Sequence, residues 1–168
     1  MPRLISITLD RRQVSCTARL LDEAAPRTCA AVWDALPVTA PAYHGKYARN
    51  EVYALVTDWS AAEPGPENTT ITPIPRDVCW FSFSGDDLGN PAYGYETEGE
   101  HRAARRIVDL AIFYGRNNLL INGDQGYVPG NVFAEITDGY EQMVAACQDV
   151  WMGGARGETL TFARADGP

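Results

Sequence analysis

The chain has 168 residues, 45% of them hydrophobic, with a formal charge of -8 and an isoelectric point near 4.7. This length and apolar content suit one compact domain spanning 1–168. The acidic balance, without any Lys/Arg cluster, argues against nucleic acid or anionic membrane surfaces as partners. The longest apolar runs, such as "LAIFY" at 110–114, are far shorter than the roughly 18 residues of a membrane span.

The opening segment "LISITLDRRQVSCTARLL" alternates apolar and polar residues on either side of a charged "DRR" turn, which predicts a β-hairpin. In "APRTCAAVWDALP", Pro26 suits a first helical turn, Cys29, Val32, Trp33 and Leu36 recur at helical spacing, and Pro37 stops the run. "NEVYALV" and "DVCWFSFS" read as strands rich in β-branched and aromatic residues. Between them "SAAEPGPENTTITPIPRD" is punctuated by Pro and Gly. The polar segment at 85–106 is expected to be a long excursion holding a short helix.

"IVDLAIFY" and "GNVFAEI" predict two more strands, separated by a glycine-rich insert expected to lie across a barrel opening. "DGYEQMVAACQDVW" predicts a second helix, with Asp138 and Glu141 at capping-box spacing. Its apolar face is Tyr140, Met143, Val144, Cys147 and Trp151, and Gly153 and Gly154 suit its end. "ETLTFAR" supplies a closing strand. Trp33, Trp80 and Trp151 read as core aromatics and Trp59 as nearer the surface. Many strands with few helices predict a mainly β protein, a closed β-barrel capped by two α-helices.

The four cysteines are scattered, without a CxxC pair, and read as buried reduced thiols. His44 and His101 stand far apart, so no metal site is expected, and no sequence pattern calls for a cofactor. "MPRLISITLDRR" lacks the apolar region of a secretory signal, so a cytoplasmic location is expected.

"LLDEAAPRTCAAVWDALP", through Pro26, Thr28, Val32 and Leu36, resembles the strand and helix that open cyclophilin-like barrels. "NVFAEITDGYEQMVAAC", through Val132, Phe133, Ile136 and Gly139, resembles the late strand and helix of the same fold. "FYGRNN", "VPGNVFAEI" and "ACQDVW" further resemble blocks of a bacterial family of uncharacterised proteins with a cyclophilin-like fold. The resemblance implies a single cyclophilin-like domain. It also raises prolyl isomerase activity, with Arg49 roughly in the place of the cyclophilin arginine, although the "FHRI" and "GSQFFI" contexts of that family are absent.

Two stretches carry candidate ligand-binding residues. In "AYHGKYARNEVY", His44, Arg49, Glu51 and Tyr53 combine a cation, a carboxylate and a phenol, and Arg49, Glu51 and Tyr53 share one face if they alternate along a strand. In "FYGRNN", Tyr114, Arg116, Asn117 and Asn118 follow an apolar strand; the asparagines read equally as ligand groups or as braces for their own turn. No nucleophile with its base is recognisable. The function expected is binding of a small polar metabolite, bearing an amide or carboxylate, in a cleft between these stretches. The alternative is an interaction or scaffold protein, as a homo-oligomer.

Overall fold

The structure, a computed structural model, describes residues 2–88, 93–95, 101 and 104–165. The first alternating segment forms the antiparallel pair β1 (Leu4–Leu9) and β2 (Val14–Leu20), which turns Ile5, Ile7, Leu9, Cys16, Ala18 and Leu20 inward. Helix α1 (Pro26–Ala35) begins on Pro26, whose fixed φ and missing N–H suit a first turn. Then come β3 (Val38–His44), β4 (Glu51–Val56), the short β5 (Thr69–Thr70) and β6 (Asp77–Phe83). A single turn, α2 (Gly85–Leu88), precedes β7 (Ile107–Phe113), the small hairpin β8 (Ile121–Asn122) and β9 (Gly126–Tyr127), and β10 (Gly130–Asp138). Helix α3 (Tyr140–Gly153) and strand β11 (Thr159–Arg164) complete the chain.

The strands are ordered β2-β1-β11-β3-β4-β7-β6-β10, and β10 pairs back onto β2. Every neighbouring pair is antiparallel, so eight strands close into a barrel that leaves no long edge unpaired. Inward side chains such as Ile7, Leu110 and Phe162 meet Cys29 and Val32 of α1 and Met143 and Cys147 of α3 in one interior cluster. The fold is the closed, helix-capped β-barrel expected from the sequence. All four cysteines are buried and free.

A second apolar layer lies outside the barrel wall. Tyr53 and Leu55 of β4, Cys79 and Phe81 of β6, and Ile107, Ala111 and Phe113 of β7 point away from the interior yet remain buried. Burial on both faces explains why "IVDLAIF", apart from Asp109, is apolar throughout rather than alternating. The cover over this wall includes Leu88 of α2, and Leu120 and Val128 of the glycine-rich insert. The insert therefore lies against the wall, not across a barrel opening.

Four local expectations are corrected. Strand β3 was not anticipated, because Pro37 and Pro41 interrupt its pattern; Pro41 stands opposite Thr159 on β11. Asp138 and Glu141 form no capping box: Gly139 is the residue before α3, at φ 72°, without a side-chain cap. A Cβ at Gly139 would stand 2.8 Å from the Ser15 carbonyl oxygen, so close packing on β2 dictates the residue there. Trp151 is 62% exposed rather than in the core, whereas Trp59 is buried. The segment 85–106 opens on the single turn α2, while its later, helix-compatible part includes residues 96–100 and 102–103, which with 89–92 lie outside the described residues. Among the described residues, no helix is long and apolar enough to cross a membrane.

Candidate functional site

Two cavities flank the loop of residues 45–50 that joins β3 to β4, and Lys46 and Tyr47 line both. The first lies on the outer wall. β4 sends out Glu51, Tyr53 and Leu55, β7 sends out Asp109, and β6 sends out Phe81 and Phe83. Leu55, Asp109 and Phe81 are direct neighbours across the three strands, and the small Ala111 stands opposite Tyr53. Tyr93, Tyr95, Leu88, Leu120 and Val128 complete an aromatic and aliphatic enclosure with a cavity volume of about 90 Å³. A mostly apolar lining with a few buried polar groups is the character of a small-molecule site.

Glu51 and Asp109 are each only 7% exposed. Asp109 Oδ1 has no hydrogen-bond partner among the described residues. Burial pushes the Glu51 carboxyl up to about 8. Burial, and secondarily the charge of Glu51, hold Asp109 well above the usual carboxylate range. Both groups are therefore shifted toward the neutral acid, in which each offers an O–H donor together with a carbonyl acceptor. Gly45 packs directly on this group: a Cβ there would lie 2.6 Å from Glu51 Oε2.

The tyrosines extend the donor set. Tyr53 Oη and Tyr95 Oη share a hydrogen bond of 2.7 Å, and burial raises both hydroxyls so that each keeps its proton. Since one proton suffices for the shared bond, the other is free to face the cavity. Tyr43 packs edge-on to Tyr95 at 5.1 Å, and the Lys46 ammonium lies 5.4 Å from the Tyr95 ring centroid. Tyr93 Oη donates to Asp124 at 2.9 Å, tying the 93–95 segment to the insert. Chemically, two neutral carboxyls and a tyrosine pair in an apolar enclosure can hydrogen-bond a carbonyl oxygen and serve as general acids toward it.

The second cavity opens on the other side of the same loop. His44, Arg49, Asn50, Tyr114, Arg116, Asn117 and Trp151 line it, around a cavity of about 670 Å³. His44 Nδ1 lies 2.9 Å from the Gly45 carbonyl and so donates to it, which leaves Nε2 to accept the Tyr114 hydroxyl at 2.6 Å. Burial lowers the His44 pKa and pushes the Tyr114 hydroxyl up to about 12, consistent with this neutral pairing. The Trp151 ring lies 4.8 Å from the His44 ring.

The candidate residues are thus divided. Glu51 and Tyr53 do share a face, in the first cavity. Arg49 does not join them, because it precedes β4 in a left-handed turn at φ 76° and lines the second cavity with His44, Tyr114, Arg116 and Asn117. Asn118 is a brace: at 4% exposure it donates to Pro73 O and Gly115 O at 2.9 and 2.8 Å and accepts the Asn50 N–H at 3.1 Å. Asp109, Tyr93 and Tyr95 were missed by sequence reasoning. The signal for Asp109 was present, since an acid alone in the apolar run Ile107–Phe113 must be buried with the strand; Tyr93 and Tyr95 sit in a segment without periodicity. Among the described residues, no group of three or more His, Cys, Asp or Glu side chains is placed to hold a metal ion.

The family model described as "Protein of unknown function (DUF3830)" matches residues 7–162. No curated protein matches the chain in sequence. Among solved structures, McbB in complex with tryptophan is similar with a TM-score of 0.61 at 16% identity, over 98% of this chain and 45% of that one. This chain thus spans less than half the length of McbB. The hypothetical protein AF2241 from Archaeoglobus fulgidus is similar with a TM-score of 0.52 at 20% identity, over 98% of this chain and 95% of that one. The Mimivirus cyclophilin has a TM-score of 0.49 at 11% identity, over 97% of this chain and 87% of that one. At these identities the likeness is one of fold.

Proposed function

The chain belongs to the DUF3830 family, and we propose that it binds a small uncharged metabolite bearing an amide or carbonyl group in the outer-wall cavity. The observation that carries this reading is Asp109 Oδ1, buried in the cavity wall without a hydrogen-bond partner among the described residues. A buried polar atom left unpaired costs about 1–3 kcal/mol, which a ligand hydrogen bond would recover. A primary amide matches a neutral carboxyl at both of its atoms, its oxygen accepting the acid O–H and its N–H donating to the acid carbonyl. Lys46 at the Tyr95 ring already fills the position a cationic ligand would take in the aromatic enclosure, which favours an uncharged ligand. Prolyl isomerase chemistry calls for an arginine beside the apolar pocket, and the described residues lining this cavity include none.

Calorimetric titration with benzamide below pH 7 tests the reading. The expected result is saturable binding that weakens about tenfold in Asp109→Leu, which removes the carboxyl while keeping similar volume. Binding should also weaken as pH rises past about 8, where Glu51 loses its proton. Absence of binding by benzamide and related small amides and ureas, or equal affinity in Asp109→Leu, would overturn it.

A further inference from the structure

The second cavity has a charge pattern opposite to that of the chain around it. The protein carries 22 acidic residues against 14 Lys and Arg, and many of its arginines are paired: Arg3 with Asp22, Arg12 with Asp149 and Glu158, Arg19 with Glu135, Arg27 with Glu67, Arg76 with Glu141 and Arg106 with Glu63. Yet this cavity is lined by Lys46, Arg49 and Arg116, with no carboxylate among its described lining residues. Arg49 and Arg116 are exposed, and neither enters an ion pair among the described residues. Where acids are in surplus, a concave surface that excludes them keeps its positive potential for an anion from outside.

The cavity is also held in shape. Asn50 Nδ2 donates to the Arg116 carbonyl at 2.7 Å, and the Asn50 N–H donates to Asn118 at 3.1 Å, so the loops carrying Arg49 and Arg116 are tied to each other. Arg49 and Asn117 both adopt left-handed backbone, at φ 76° and 64°, a conformation that costs energy in non-glycine residues and persists only where its surroundings fix it. The floor is the His44–Tyr114 pair, fully engaged in its own hydrogen bonds. At the rim stands Trp151, a large aromatic surface 62% exposed. An exposed tryptophan beside two unpaired guanidinium groups suits a ligand with a flat apolar body and one planar anionic end.

We propose that this cavity is a second, separate binding site that takes a small aromatic carboxylate, with the carboxylate on Arg49 and Arg116 and the ring against Trp151. Arginine favours a planar carboxylate, which two parallel N–H donors fit in one plane. The two cavities share Lys46 and Tyr47, but their recognition groups differ, Asp109 and Glu51 in one and Arg49 and Arg116 in the other, so each proposal can fail without the other.

The test is a titration with benzoate, followed by calorimetry and by tryptophan fluorescence. Saturable binding is expected, with a fluorescence change that disappears in Trp151→Phe. Arg116→Gln and Arg49→Asn are each expected to weaken benzoate about tenfold or more. Both side chains are exposed, and asparagine tolerates the left-handed turn at 49, so unchanged thermal midpoints separate loss of binding from loss of fold. Asp109→Leu should leave benzoate affinity unaltered. Failure of benzoate to saturate at millimolar concentration would overturn the proposal, as would full affinity in Arg116→Gln or loss of binding in Asp109→Leu. Tighter binding of inorganic phosphate than of benzoate would also overturn it, because it would mark a tetrahedral anion site instead.

Discussion

In Glu51→Gln the outer-wall cavity keeps its shape but loses a group whose proton is linked to folding. Burial holds Glu51 at about 8 in the folded protein, whereas a glutamate in the unfolded chain titrates near about 4.3. Between these values the folded protein retains a proton that the unfolded chain has released. The contribution of Glu51 to stability is therefore complete below the unfolded value and is lost as pH rises through the folded one, at about 1.4 kcal/mol per pH unit. From about pH 5 to about pH 7.5 this amounts to about 3 kcal/mol, a large part of the stability of an ordinary domain. Asp109, also raised by burial, acts with the same sign, while Glu67, lowered by its bonds to Thr28 and Arg27, acts with the opposite sign. Subtracting wild type from Glu51→Gln cancels groups that do not face Glu51, such as Glu67, whereas Asp109, which the Glu51 charge helps to raise, titrates as part of the same pair. Urea unfolding at stepped pH is expected to show the variant gaining on wild type by about 3 kcal/mol across that range. A difference that stays constant with pH would refute the claim that Glu51 is buried as the neutral acid.

Two substitutions probe the frame around the cavities. Gly45→Ala would drive a methyl group against the Glu51 carboxyl, at 2.6 Å from Oε2 and 2.9 Å from Cβ; it should cost about 1–3 kcal/mol in urea unfolding and weaken benzamide binding. Asn118→Ala removes three hydrogen bonds at a buried position and leaves Asn50 N–H and two carbonyls unpaired. It should cost about 2–4 kcal/mol and loosen the loops that carry Arg49 and Arg116, so benzoate affinity falls although Asn118 touches no ligand.

What could be read from the sequence followed from regular patterns. The alternation in Leu4–Leu9 and the helical spacing of Cys29 and Val32 reported faces that bury against one core, and periodicity captures such faces. The outer wall escaped because β4, β6 and β7 are covered on both sides: a strand buried twice loses its alternation, so Asp109 could be read as buried with its strand but not assigned to one face or to a cavity. Glu51 and Tyr53 were legible as a pair because two-residue spacing is local, whereas their partners Asp109 and Tyr95 arrive from β7 and from residues 93–95 by tertiary packing. Asn118 shows the limit within a single motif. Asn117 and Asn118 are adjacent and chemically identical, but one faces the second cavity and the other is fastened beneath it, a difference set by Pro73 and Asn50 elsewhere in the chain.

The pairing of β1 with β11 and of β2 with β10 has a consequence during synthesis. Ile7 finds its neighbour at Phe162 and Ala18 finds its neighbour at Ile136, so the β1–β2 hairpin has both outer edges waiting for strands made much later. Until then its apolar row of Ile5, Ile7 and Leu9 has no interior to enter, and its unpaired backbone is open to other nascent chains. Folding yield in a cell should therefore depend on how quickly the C-terminal third is translated, and a truncation before β10 should aggregate rather than persist as a smaller barrel.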